Sequence, residues 1–184
     1  MQELPEWVKA EQAKWNYRGQ ERPPFAFEPQ EGQESVWDYP RPPRIISDHR
    51  HVIVRANGRV IADSQSTYRV LETASPPTFY IPPHDIVKNM LVPRAGSSLC
   101  EWKGTAQYWS VNIDGIFIED AAWSYPNPFS GFEMIADYIA FYPNRVVCYV
   151  NEELVRPQPG GLYGGWVTKE IVGPFKGEAG TEHW

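Results

Sequence analysis

The sequence predicts a mainly β protein, a single antiparallel domain with one α-helix and an extended arm at each end. Three observations carry that prediction. Apolar and polar residues alternate along 51–55, 68–72 and 106–113, the period-two pattern of half-buried strands. Asn57-Gly58 and Asp114-Gly115 lie between such runs, and these pairs favour the positive φ of tight hairpin turns. A βαβ rhythm is absent, so the strands are expected to connect as hairpins.

Residues 1–50 read as an arm carrying Trp7, Trp15, Tyr17, Phe25, Phe27 and Trp37-Asp38-Tyr39. A solvated linker rarely holds so many large rings, so the arm is expected to dock on the domain or on a sister subunit. A short helix is compatible with the first fifteen residues, Trp7 and Val8 included. Residues 51–156 form the β domain. It starts with a hairpin of His51–Arg55 and Val60–Asp63, followed by strands at Tyr68–Glu72 and Thr78–Ile81. Pro82-Pro83 ends the fourth strand because proline has no donor for the ladder.

Leu99–Ile113 and Ile116–Asp120 then form the central hairpin, with Ala121–Ser124 prolonging it. Alternation places Ala106, Tyr108 and Ser110 on one face, and Gln107, Trp109, Val111 and Ile113 on the other. Ser130-Gly131-Phe132-Glu133 reads as a capping box and predicts the one strongly signed helix. Phe132, Ile135, Ala136 and Ile139 would share its face, and Pro143 would stop it. A closing hairpin runs through Arg145–Val150 and Leu154–Arg156. Residues 157–184 form a Gly-rich tail tied down by Trp166, Ile171 and Phe175.

Composition narrows the function classes. At 184 residues the chain suits one domain with extensions. Its 14% aromatic content, with eight Trp, exceeds ordinary usage and fits either a dense core or a recognition surface. A net charge of −6 argues against nucleic acid or an anionic membrane surface as partner. Apolar runs fall well short of the ~20 residues that span a bilayer, and the N-terminus lacks the order of a signal peptide. Cys100 and Cys148 alone cannot form a four-thiolate zinc site. Neither His49 with His51 nor His84 with Asp85 supplies enough convergent ligands, so no metal and no cofactor are expected. Cytoplasmic residence is the default.

Several segments match a known family in combination. They are Arg69-Val70-Leu71-Glu72-Thr73 with Pro76-Pro77, Tyr80-Ile81-Pro82-Pro83-His84-Asp85-Ile86, Cys100–Pro126, and Tyr138-Ile139-Ala140-Phe141-Tyr142. From about Val52 to Val150 the chain resembles domain of unknown function 427, a family sometimes labelled a nucleotidyltransferase domain. Ser35–Arg44 resembles the lead-in of its cyanobacterial members. The resemblance implies a folded-over antiparallel arrangement of the Mss4-like, or β-tent, group. Some members of that group hold zinc through four cysteines and others hold ligands in an aromatic cage. With two cysteines, this chain keeps only the cage. The nucleotidyltransferase label finds no phosphate cradle here: Asp114 belongs to a turn, and Glu119 and Asp120 alternate in direction.

Two constellations are candidates for chemistry. The first is aromatic: Trp102, Tyr108, Trp109, Trp123 and Tyr125. Such rings suit flat or cationic ligands, or they are simply core. Alternation forbids Tyr108 and Trp109 from lining one face. The second is polar: Arg69, Glu72, Tyr80, Lys103 and Asp120. Lys103 could hold an anion or, if desolvated, act as a base. The alternative is a set of surface ion pairs. Cys100 beside Lys103 is a candidate nucleophile or an inert buried thiol. Three readings follow: a domain binding an unidentified small molecule, an enzyme using Lys103, Tyr80 and Asp120 or Glu72 as acid and base, and an assembly protein whose aromatic arms bury a homodimer interface.

Overall fold

The computed structural model describes residues 4–184. One α-helix, α1 (Glu6–Ala13), precedes fifteen strands among these residues. Its single buried side chain is Val8. The first six strands are β1 (Glu34–Ser35), β2 (Arg44–Asp48), β3 (Val52–Ala56), β4 (Arg59–Ser64), β5 (Thr67–Glu72) and β6 (Ser75–Tyr80). The long meander follows as β7 (Leu91–Cys100), β8 (Gly104–Ile113) and β9 (Ile116–Ser124). Short strands complete the set: β10 (Ala140–Phe141), β11 (Val147–Val150), β12 (Glu153–Leu154), β13 (Arg156–Pro157), β14 (Trp166–Val167) and β15 (Ile171–Val172).

Three antiparallel sheets hold the domain, in the orders β10-β9-β8-β7, β12-β11-β3-β4 and β2-β5-β6. The turn chemistry read from the sequence sets the hairpins. Asn57 and Gly58 have φ of 46° and 74°, and Asp114 and Gly115 have 50° and 87°. Asn151 and Glu152 make the corresponding turn of the closing hairpin with φ of 45° and 67°. Positive φ at both central residues matches the right-handed twist of the flanking strands.

The two four-stranded sheets enclose one apolar cluster, with Val52, Val54, Ile61, Val111, Ala122 and Phe141 at its centre. Trp166 from the tail enters the same cluster and donates from Nε1 to the Phe141 carbonyl at 3.0 Å. The opposite face of β8–β9 meets the three-stranded sheet across a second cluster. A third cluster seats the N-terminal arm: Val36, Trp37 and Tyr39 pack with Leu71 and Ile171. Trp37 is ringed by Tyr17, Phe25 and Trp184 at centroid distances of 5.0–5.2 Å. The arm therefore docks on its own domain and on the tail, and the two-residue parallel ladder β1–β15 links the two ends.

Two elements differ from the sequence expectation. The capping-box segment makes only a 3-10 turn over Glu133–Ile135. Glu133 does accept from the Gly131 N–H at 2.8 Å. The turn cannot continue because Asp137 adopts φ 60°, Ile139 exchanges backbone hydrogen bonds with Ile81, and Ala140–Phe141 pairs with β9. Sheet pairing overrides helix signals here, and the helix of the fold is the N-terminal one. The central hairpin is in fact a three-stranded meander. Its first strand, β7, is a largely exposed edge interrupted by a bulge between Pro93 and Ser97, so it shows no alternation.

Candidate functional site

Four strands and one turn bring a set of side chains to a cavity of about 430 Å³ between the three-stranded sheet and the meander. On β5, alternation sends Val70 and Glu72 to the cavity, and β6 contributes Thr78 and Tyr80. The opposite wall holds Ala106 and Tyr108 from β8 and Trp123 from β9, with Tyr125 just beyond. Trp102 and Lys103 come from the turn joining β7 to β8. Gly104 closes that turn at φ 103°, a conformation glycine reaches without a Cβ clash.

Both arms complete the enclosure. Trp15 lies against the turn, its Nε1 donating to Glu101 at 2.7 Å, while Gln12 donates to the Glu101 carbonyl at 2.7 Å. From the tail come Tyr163, Gly164 and Lys176. A Cβ placed at Gly164 would stand 2.2 Å from the Trp123 ring, so the backbone itself covers that indole. Gln158 holds the tail in place by accepting from Gly165 N at 3.1 Å and donating to the Lys176 carbonyl at 2.7 Å.

Glu72 is the electrostatic centre of the chamber. Its carboxylate lies 3.3 Å from Arg41 Nε and 3.6 Å from Lys103 Nζ. Arg41 is fully buried and also donates to the Thr73 carbonyl at 2.7 Å, with its guanidinium 4.4 Å over the Trp15 ring. Burial opposes the charge on Lys103, but its interactions with Cys100, Glu72, Tyr125 and Tyr80 outweigh that penalty. The ammonium therefore titrates well above its ordinary value. Burial pushes Tyr80 up to about 12 against the opposing charge of Lys103, and it drives Tyr125 well upward too. Lys176 moves the other way, down to about 8, because burial and then the Arg41 charge disfavour its ammonium. The Trp102 indole nitrogen is buried in the chamber wall without a hydrogen-bond partner.

Six of the nine site residues proposed from the sequence meet here: Trp102, Lys103, Trp123, Tyr125, Glu72 and Tyr80. Trp109 does not. It sits on the other face of β8, packs against the cluster between the four-stranded sheets, and donates to Ser124 Oγ at 2.9 Å. Arg69 projects away from Glu72, to Asp48 at 3.0 Å and Glu34 at 3.2 Å. Asp120, at φ 49°, reaches Arg94 at 3.3 Å beside an adjoining cavity of about 420 Å³. Glu119 pairs with the same arginine at 3.5 Å, so the two carboxylates converge on one cation rather than diverging.

Cys100 lines the chamber as a free thiol, and Cys148 is a buried one whose ionisation burial suppresses. His51 pairs with Asp63 at 2.8 Å, His49 Nδ1 lies 3.3 Å from the Gln65 carbonyl, and His84 lies 3.6 Å from Asp85. Sequence reasoning missed Trp15, Arg41, Tyr163 and Lys176. Trp15, Tyr163 and Lys176 lie outside the segments that resemble the family and Arg41 lies only in its lead-in, so the available signal was the density of rings and glycines in the arms.

These features define a mainly antiparallel β domain with a half-open aromatic chamber bordered by residues of both arms. The chain belongs to the family described as Domain of unknown function (DUF427), whose model matches residues 44–152. That span holds Glu72, Tyr80, Lys103 and Trp123 but not the arms that close the chamber. A search of curated proteins returned no match.

Proposed function

We propose that this chain is a small-ligand-binding β domain whose chamber holds a compact, flat molecule between aromatic walls. One observation carries the reading: residues from four strands, a turn and both arms converge on one cavity of about 430 Å³. Cavities of a few hundred Å³, mostly apolar with a few placed polar groups, are the usual form of small-molecule sites. Lys103 and Glu72 would engage the polar end of the ligand. The unpaired Trp102 N–H asks for an acceptor atom, because a buried donor without a partner is costly.

The acid/base enzyme reading is weaker for these same groups. Near neutrality Lys103 stays an ammonium and Tyr80 stays a phenol, so neither serves as a base there. The nucleotidyltransferase label lacks support as well, since Glu119 and Asp120 are occupied by Arg94. The homodimer reading loses its proposed anchors, because Trp37 and Trp166 are buried within one chain. Two sheets closing over one cluster support the Mss4-like arrangement, and two unpaired thiols support a reducing compartment.

Gentle native mass spectrometry of the protein purified from its own host tests the binding reading. A co-purifying mass that is lost in Trp102→Ala and in Lys103→Met, but kept in Trp109→Phe, is the expected result. A ligand mass insensitive to both chamber substitutions would overturn it.

A further inference from the structure

Two cations share one carboxylate at the Glu72 end of the chamber. Arg41, whose side chain is fully buried, lies 3.3 Å from Glu72 Oε1, and Lys103 Nζ lies 3.6 Å from Oε2. That second distance is longer than a good hydrogen bond, and the ammonium carries three protons. The Lys103 side chain is only 11% exposed, and among the described residues its ammonium makes no hydrogen bond. Its neighbour Trp102 is 4% exposed, and the indole N–H has no partner either. Both residues line the cavity. The other charged groups that line it are engaged elsewhere. Glu101 accepts from Trp15 Nε1 at 2.7 Å, and Lys176 donates to a Trp184 oxygen at 3.1 Å with its Nζ 3.7 Å over the Trp15 ring. Cys100 lines the wall as a free thiol.

We propose that the ligand of the chamber is an aromatic carboxylate, with its ring between the aromatic walls and its carboxylate on Lys103 Nζ, the Trp102 N–H serving as a second donor. This deepens the ligand-binding reading and rests on it. Three classes of ligand differ in what they leave behind. A cation would enter beside Lys103 and Arg41, whose charges exceed that of Glu72 by one, where burial strengthens the repulsion. A neutral ligand would leave the excess charge uncompensated in a buried setting. A carboxylate balances two cations with two anions and brings acceptor oxygens for charge-assisted bonds. It is planar like the ring that carries it, so both parts suit a chamber walled by Tyr80, Trp123 and Tyr125.

The test is isothermal titration calorimetry of the full chain at neutral pH with three probes built on one ring system. They are 2-naphthoate, its neutral amide 2-naphthamide, and 2-naphthylmethylamine, a cation at that pH. The carboxylate should bind tightest, on the order of ten-fold above the amide, which is the difference between a charged and a neutral hydrogen-bonded pair, and the amine should bind weakest. Lys103→Met should bring 2-naphthoate down to the level of the amide. Glu72→Gln removes the competing carboxylate and should tighten 2-naphthoate several-fold, a gain that a merely structural role would not produce.

An amide or amine that binds as tightly as 2-naphthoate overturns the proposal, and so does a carboxylate preference that survives Lys103→Met or weakens in Glu72→Gln. In those cases the chamber still binds, and only the ligand class fails. If none of the three probes binds, the co-purifying host ligand decides: a carboxylic acid upholds the proposal, and a molecule without an acidic group overturns it. Silence from all three probes together with no host ligand takes the binding reading down as well.

Discussion

Arg69 and Glu72 stand three residues apart on one strand and belong to two unlike regions. Around Arg69, charges of opposite sign are matched. Asp48 and Glu34 take up its guanidinium, Arg50 holds Asp48 at 2.7 Å and Glu170 at 2.5 Å, and Tyr39 donates to Glu34 at 2.6 Å. That network joins the arm, β2, β5 and the tail. Around Glu72 the matching is incomplete: the cations Arg41 and Lys103 share its one carboxylate, the Trp102 indole N–H is buried without a partner, and a cavity lies beside them. A charge-balanced cluster reads as scaffold, and an unbalanced one bordering a cavity reads as a site.

The largest expected effect breaks the scaffold side. Arg69→Met strips the buried Asp48 of one of its two arginines and Glu34 of its own. Because Arg50 stays on Asp48, the loss should lie at the low end of the range for breaking a buried ion pair, about 3 kcal/mol, to be read by chemical denaturation. Glu72→Gln should cost far less stability and act on ligand retention instead. The pH dependence follows from the same network. Burial raises the carboxyls of Glu34 and Asp48, but Tyr39 and Arg69 for the first, and Arg50 for the second, bring both below their ordinary values. Depressed carboxylates stabilise the fold above their unfolded pKa, near about 4, and that contribution disappears as pH falls through the folded value. Urea midpoints measured from pH 6 to pH 3 should drop in the parent and drop less steeply in Arg69→Met. Parallel curves would show that this network does not govern acid stability.

How far the contrast was legible in the sequence depends on range. The turn pairs Asn57-Gly58 and Asp114-Gly115 dictated hairpins through φ alone, and strand parity separated Tyr108 from Trp109. Both are local rules. β7 escaped because an exposed edge strand has no reason to alternate. The capping box misled because strand pairing by Ile139–Phe141 decides that segment from outside it. Arg41, Trp15 and Lys176 reach the chamber through contacts such as Trp15 with Glu101, 86 positions apart, for which no periodicity exists.

A middle-sized effect sharpens the chamber side. Gly164→Ala drives a methyl group into the Trp123 ring, and overpacking of this kind costs roughly 1–3 kcal/mol. The tail must lift or the indole must turn, so limited proteolysis near the half-exposed Tyr163 should accelerate along with a lower melting temperature. An unchanged cleavage pattern would mean that the tail does not form the chamber's cover.

The smallest expected effect on stability is the most discriminating. Trp102→Phe and Trp109→Phe each replace an indole by a phenyl ring, on opposite sides of the same sheet. Trp109 loses a hydrogen bond to Ser124 and should cost about 1 kcal/mol while leaving ligand retention untouched. Trp102 loses an N–H that has no partner within the chain, so part of its packing loss is offset by removing an unsatisfied donor. Its net stability change should fall below that of Trp109→Phe. Under the binding reading ligand retention should nevertheless fall, because the ligand would supply that donor's acceptor. If Trp102→Phe proves the more destabilising of the two and retains ligand fully, Trp102 is core and the face it lines is scaffold like the other.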